Sequence, residues 1–213
     1  MAGLYACWYA AAVPGTMRQM EHFTTARLVA RDWTTADLDA AFSIYGRDEV
    51  MRWLGSQPRR PVASREEMRL ALDRLIARAE EQPAYDRWAL ELRATGEVVG
   101  AIFLSPLPGD DGEIEIGWHL NPDHWGAGYA TEAGRGVIAL AFGLEYVGPD
   151  RIEPELARRR PRPDLDRVLA VVDPDNARSL AVCRRLGMAH QGQTTAYYGE
   201  TLELFELSRA AVR

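Results

Sequence analysis

The residues with the clearest chemical potential are two glycines that open a loop, Gly126 and Gly128 in Trp125-Gly126-Ala127-Gly128-Tyr129-Ala130-Thr131. Glycine takes backbone angles closed to other residues and lets the chain approach a ligand closely. Ahead of the loop stand a strand-like run, Glu113–Leu120, and the turn Asn121-Pro122. Behind it, Ala130–Leu144 carries Ala133, Val137, Leu140, Ala141 and Leu144 at helical spacing. Strand, glycine loop and helix N-terminus in that order aim unpaired N–H groups and the positive end of a helix dipole at one point, which suits a diphosphate. A Gly-x-Gly pair by itself marks tight turns, so its place between strand and helix carries the weight. The loop has no Lys, which excludes a Walker-type site. Thr131 stands three after Gly128, which breaks the dinucleotide fingerprint G-x-G-x-x-G.

The elements that must position this loop follow from periodicity. Leu28–Arg31 reads as a strand, and Leu38, Ala41, Phe42 and Tyr45 as a helix face capped by Thr34 or Thr35. A second helix spans about Ser64–Glu80, with Ser64 and Glu67 as a capping box. Trp88–Leu92 and Val98–Leu104 flank the turn Ala94-Thr95-Gly96-Glu97 as a hairpin. Glu113–Leu120 alternates as a half-buried strand, with Ile114, Ile116, Trp118 and Leu120 on one face. Pro149, Pro154, Pro161 and Pro163 make 145–167 an extended connector. Val168–Val172 is a strand, Asn176–Leu186 a helix ended by Gly187, and two strands near Met188–Thr195 and Thr201–Ser208 close the chain. The expectation is one α/β domain over residues 21–213 with a mixed sheet, preceded by an extension over 1–20.

Bulk properties narrow the function. With no Lys, all 25 basic residues are Arg, and the net charge of −6 argues against broad nucleic-acid binding. The Arg-rich run 158–162 reads as a solvated excursion or partner contact. No apolar run spans a bilayer, so no membrane role is expected. Two cysteines, Cys7 and Cys183, and four scattered histidines form neither a disulfide framework nor a zinc spacing, so no metal is expected and a reducing cytoplasm is the simplest setting.

The stretch EIGWHLNPDHWGAGYATEA resembles the coenzyme A loop of GNAT acetyltransferases, in particular the branch that acetylates N-termini of ribosomal proteins. Ala26–Arg31 resembles that branch's opening strand, and Val171-Val172-Asp173-Pro174-Asp175-Asn176-Ala177-Arg178-Ser179 its second signature. The resemblance covers roughly Thr25–Ser208. It implies a single α/β (α+β) domain with a mixed, mostly antiparallel sheet that splays between the fourth and fifth strands, Glu113–Leu120 and Val168–Val172, flanked by about four helices. It also implies acetyl-CoA as acyl donor and an amine acceptor, either a peptide N-terminus or a small molecule; a homodimer stays open. The pantetheine arm would pair with backbone near His119, Leu120 and Asn121. Amides of Trp125, Gly126, Ala127, Gly128, Tyr129, Ala130 and Thr131 would hold the diphosphate, and Asn176 would bond the arm from the next helix. Asp123 replaces the family's common Gln or Arg at the loop's first position.

The implied reaction is direct attack by the amine on the thioester, driven mainly by alignment of the two reactants. Glu115 is the first candidate base and Glu200 the second, with His119 as a relay. Cys183 occupies the position of the family's acidic Tyr, and Ser179, one helical turn earlier, matches the serine of the ribosomal branch; both are candidate proton donors to the thiolate. Trp33, Trp53, Tyr197 and Tyr198 could wall the acceptor pocket. A non-catalytic acyl-CoA-binding module would keep the loop and lack acceptor chemistry.

Overall fold

Alternating and continuous apolar runs in the inner strands, with polar edge strands β1 and β9, build an eight-stranded sheet in the spatial order β1 (Glu21–Thr24), β2 (Leu28–Arg31), β3 (Arg87–Leu92), β4 (Val98–Pro106), β5 (Ile114–Leu120), β8 (Arg167–Val172), β10 (Leu202–Ser208), β9 (Ala189–Thr194). A separate hairpin pairs β6 (Leu144–Gly148) with β7 (Arg151–Pro154). The computed structural model describes residues 20–55, 59–81, 85–109, 112–148, 151–154 and 164–212. Every pair of neighbours in the large sheet is antiparallel except β5–β8, which is parallel and in register only at Glu115↔Leu169. Beyond Glu115 the two strands part. Each β5 amide on that side loses its strand partner, and the sheet acquires a gap bordered by backbone polar groups.

Helices cover both faces. On one face α1 (Leu38–Tyr45), the short α2 (Asp48–Met51) and α3 (Arg65–Glu81) bury Trp33, Ala41, Ile44, Met68 and Leu72 against Ala89, Val98 and Ala101. On the other, α4 (Tyr129–Ala141) and α5 (Ala177–Arg185) lie against a core that includes Trp88, Leu90, Ile102, Leu104, Ile116, Val137, Ile138 and Phe205. Glu67 N–H donates to Ser64 Oγ at 3.2 Å, while the Glu67 carboxylate accepts from Ala63 N–H at 2.9 Å, so the expected box closes one residue early.

Three expectations change. The helix after the glycine loop stops at Ala141, because Gly143 takes a left-handed φ of 65° and turns the chain into β6. The connector 145–167 contains most of the β6–β7 hairpin, whose first strand ends before Pro149 and whose second ends on Pro154. The sheet also begins one strand earlier, at β1. The Arg-rich run 158–162 and the extension through residue 19 lie outside the described residues.

Candidate active site

Two cavities open where β5 and β8 diverge, and they share Trp53, Leu54, Trp118, His119, Asn176 and Ser179. The one on the loop side, about 670 Å³, is lined by His124, Trp125, Gly126, Gly128, Tyr129, Ala130 and Thr131 together with α5 residues. Both loop glycines are left-handed, φ 81° at Gly126 and 83° at Gly128, and Gly128 is the N-cap of α4. A non-glycine residue in that conformation is strained, which explains the spacing read from the sequence. The amides of Tyr129, Ala130 and Thr131 precede Glu132 N–H, the first to donate within the helix (to the Gly128 carbonyl at 3.1 Å), and can face an anion.

Side chains brace the loop. Trp125 Nε1–H donates to the Leu120 carbonyl at 3.0 Å, and its ring carries the Arg178 guanidinium at 4.6 Å. Asn121 Oδ1 accepts from Asp123 N–H at 3.1 Å, so the loop entry is closed by its own residues. Glu132 accepts from Thr25 Oγ1–H at 2.6 Å, Arg27 N–H at 2.8 Å and Arg27 Nε–H at 2.7 Å, while Arg27 Nη1–H reaches the Ala127 carbonyl at 2.9 Å. This tie between the β1–β2 turn and the loop escaped sequence reasoning, because Glu132 reads as a solvated first-turn acid. Arg178 and Arg185 also escaped it. They lie seven residues apart on α5, both line the loop-side cavity, and Arg185 Nε–H donates to Thr131 Oγ1 at 3.1 Å. Asn176 Oδ1 is engaged as the cap of α5, accepting from Ser179 N–H at 3.1 Å, which leaves its NH₂ for the shared wall.

The second cavity, about 440 Å³, lies on the α1–α3 side of the sheet. Glu115 sits in its wall, 6% exposed, directly where the strands part. Burial pushes its carboxyl up to about 7, against the pull of a hydrogen bond from Tyr198, one from the Val171 amide and the Arg87 charge. Tyr198 O–H donates to Glu115 Oε2 at 2.8 Å from a left-handed backbone, φ 57°, the one non-glycine residue so placed among the described residues. Strain held at such a point fixes the phenol on the carboxylate. His119 pairs through Nδ1 with Tyr45 Oη at 3.2 Å, and burial, helped by Arg87, holds its pKa well below the ordinary histidine range, so the ring is neutral.

The other sequence candidates divide between the cavities and the interior. Ser179 lines the junction of the two cavities. Cys183 is 0% exposed within the core, lines neither cavity, and burial pushes its thiol up to about 12. Glu200 lines the second cavity but is paired with Arg59, which also holds Asp173 at 3.0 Å. Trp53 and Tyr198 are walls, whereas Trp33 is core.

A mixed sheet that parts at one parallel pair, with a glycine loop feeding a helix at the gap, defines an acyl-CoA N-acyltransferase fold. Residues 27–189 match the acetyltransferase (GNAT) domain family, and the chain belongs to it. It is an acetyltransferase that takes its acyl group from acetyl-CoA and delivers it to an amine. The uncharacterized N-acetyltransferase YoaA of Bacillus subtilis strain 168 is 27% identical over 173 residues, 81% of this chain and 85% of that protein. Among solved structures, a GNAT-family acetyltransferase from Bacillus anthracis superposes with a TM-score of 0.64 at 21% identity, over 88% of this chain and 96% of that one. RimL, a ribosomal alpha-N-protein acetyltransferase in complex with coenzyme A, does so with a TM-score of 0.65 at 15% identity, over 90% and 99%. No helix among the described residues is long and apolar enough to cross a membrane.

Proposed function

We propose that this enzyme acetylates the primary amine of a peptide N-terminus or a small molecule by direct attack, with Glu115 as the base. One observation carries the reading: a buried carboxyl, ionising near 7, stands in the wall where the sheet parts. A base is most effective when its pKa lies near the working pH. Acetyl-CoA, when bound, supplies the thioester carbonyl that the amine attacks. The loop amides of 125–131 hold the diphosphate, with Arg178 and Arg185 adding positive charge. Backbone at His119, Leu120 and Asn121 receives the pantetheine arm, and the Asn176 NH₂ bonds it from α5. On the acceptor side, Glu115 takes the ammonium proton, and Tyr198 keeps the carboxylate oriented. Ser179, at the junction of the cavities, places its hydroxyl on the leaving sulfur; Cys183 lies too deep to reach it.

The test is release of coenzyme A thiol with a panel of N-terminal peptides and small amines. Glu115→Gln is expected to keep acetyl-CoA affinity and to slow turnover about 10²- to 10⁴-fold. Wild-type turnover in Glu115→Gln would overturn the base assignment. Tight acetyl-CoA binding with no amine turned over would favour an acyl-CoA-binding module instead.

A further inference from the structure

Arg87 opens β3 and lies in register with Phe103 of β4, which in turn faces Gly117 of β5. Its guanidinium rests over the Phe103 ring, 5.3 Å from the centroid. Its charge bears on Tyr45, Glu115, His119 and Tyr198, which surrounds it with the walls of the acceptor cavity. Other buried or part-buried arginines of this chain are answered by carboxylates, the buried Arg31 by Asp37 and Glu91 and the part-buried Arg59 by Asp173 and Glu200, whereas Arg87 is itself part-buried. Arg87 forms no ion pair among the described residues, and its Nε–H is buried without a partner. A guanidinium held so is costly unless something completes it. At the mouth, Arg78 of α3 donates to Ser105 Oγ at 3.4 Å and adds a second cation without an ion pair among the described residues. Asp86 offsets part of this charge. It is 3% exposed, its Oδ1 accepts the Arg87 backbone N–H at 2.7 Å, and burial raises its pKa.

We infer that the acceptor carries a carboxylate a few bonds from its reacting amine, and that Arg87 binds that carboxylate. The inference rests on the acetyl-transfer reading and names the acceptor's chemistry within it. Arg87 and Glu115 stand two strands apart with a two-residue offset, on the order of 12 Å between Cα atoms before side-chain reach. A short amino acid, or a peptide whose first residue is acidic, spans the remaining distance. The planar fork of Arg matches a carboxylate, and a doubly charged phosphate would meet Asp86 and Glu115 at closer cost.

The experiment compares kcat/KM for matched pairs: alanine with alaninamide, β-alanine with its amide, γ-aminobutyrate with its amide, and a peptide beginning with aspartate against one beginning with asparagine. Phosphoethanolamine is the phosphate arm. The wild type is expected to prefer at least one acid over its amide by about tenfold or more, chiefly through KM. Arg87→Gln should lower that preference about tenfold or more, to near parity of acid and amide, with Arg87→Lys between. An equal rate for acids and amides, a preference unchanged in Arg87→Gln, or selective use of phosphoethanolamine would overturn the inference. A second measurement reads the site without turnover, as the thermal upshift given by N-acetylated acids against N-acetylated amides in the presence of coenzyme A. An upshift from the acids that Arg87→Gln abolishes supports the carboxylate site. No upshift from any acid removes it. Absence of thiol release with every amine, alongside such an upshift, would sink the acetyl-transfer reading and leave the carboxylate site standing.

Discussion

A carboxyl that ionises near 7 in a cleft wall ties rate and stability to the same proton. Tyr198, the Val171 amide and Arg87 face Glu115 and favour its charged form, and the nearby Cys183 thiol stays protonated, yet burial outweighs them all. The folded state therefore retains a proton that the unfolded chain, with its carboxyl near 4.5, has already released. Stability contributed by this group is full below about 4.5, falls as pH rises through the folded value of about 7, and stays low above it. Glu115→Gln should therefore stabilise the fold at pH 8, by at most about 3 kcal/mol, while turnover is lost. In the wild type, kcat/KM should rise across pH 6–8 with one inflection near 7, since His119 is neutral throughout. Denaturant midpoints at pH 5 and pH 8, read beside the rate profile, check both. A Glu115→Gln protein no more stable than wild type at pH 8 would show that the burial cost is absent.

The face of β5 that holds Glu115 shows what periodicity leaves out. Ile114, Ile116, Trp118 and Leu120 alternate legibly, and the glycine loop and both flanking helices were legible from spacing alone. The opposite face, Glu115 and His119, looks solvated in sequence but is buried, His119 against Tyr45 of α1 and Glu115 against Tyr198 of the β9–β10 connection, and only packing between distant elements reveals that. Arg87 was missed for the same reason: at the start of a strand it reads as an edge residue. Gly117 is the element-scale counterpart. A Cβ there would overlap the Phe103 ring, closest at its Cζ, the surface on which Arg87 rests and against which His119 tilts at 5.3 Å. Gly117→Ala should displace Phe103, cost about 1–3 kcal/mol and raise the acceptor KM more than that of acetyl-CoA. Equal rises in both would place the disturbance in the sheet as a whole.

At the scale of the molecule, α1–α3 pack on one face of the sheet and α4 and α5 on the other, while residues of α2 and α5 line both cavities. The β1–β2 turn ties the edge of the sheet to the loop and α4, because Thr25 and Arg27 close on Glu132 and the Ala127 carbonyl. The Glu132 carboxyl, despite partial burial, is held below its ordinary value by those donors, so the tie persists above about 4.5 and loosens as acid protonates it. The domain needed for chemistry is accordingly expected to start at the first strand. Met20 already contributes, its carbonyl accepting Asp32 N–H at 3.0 Å. A chain beginning at Met20 should match the full chain in stability within about 0.5 kcal/mol and in kcat/KM. One beginning at Leu28 should lose acetyl-CoA affinity, because Glu132 would keep its buried charge without its donors. Calorimetric titration with coenzyme A separates the two. Loss of folding in the Met20 chain would make the first nineteen residues part of the domain, and undiminished affinity in the Leu28 chain would show that the loop stands without its tie.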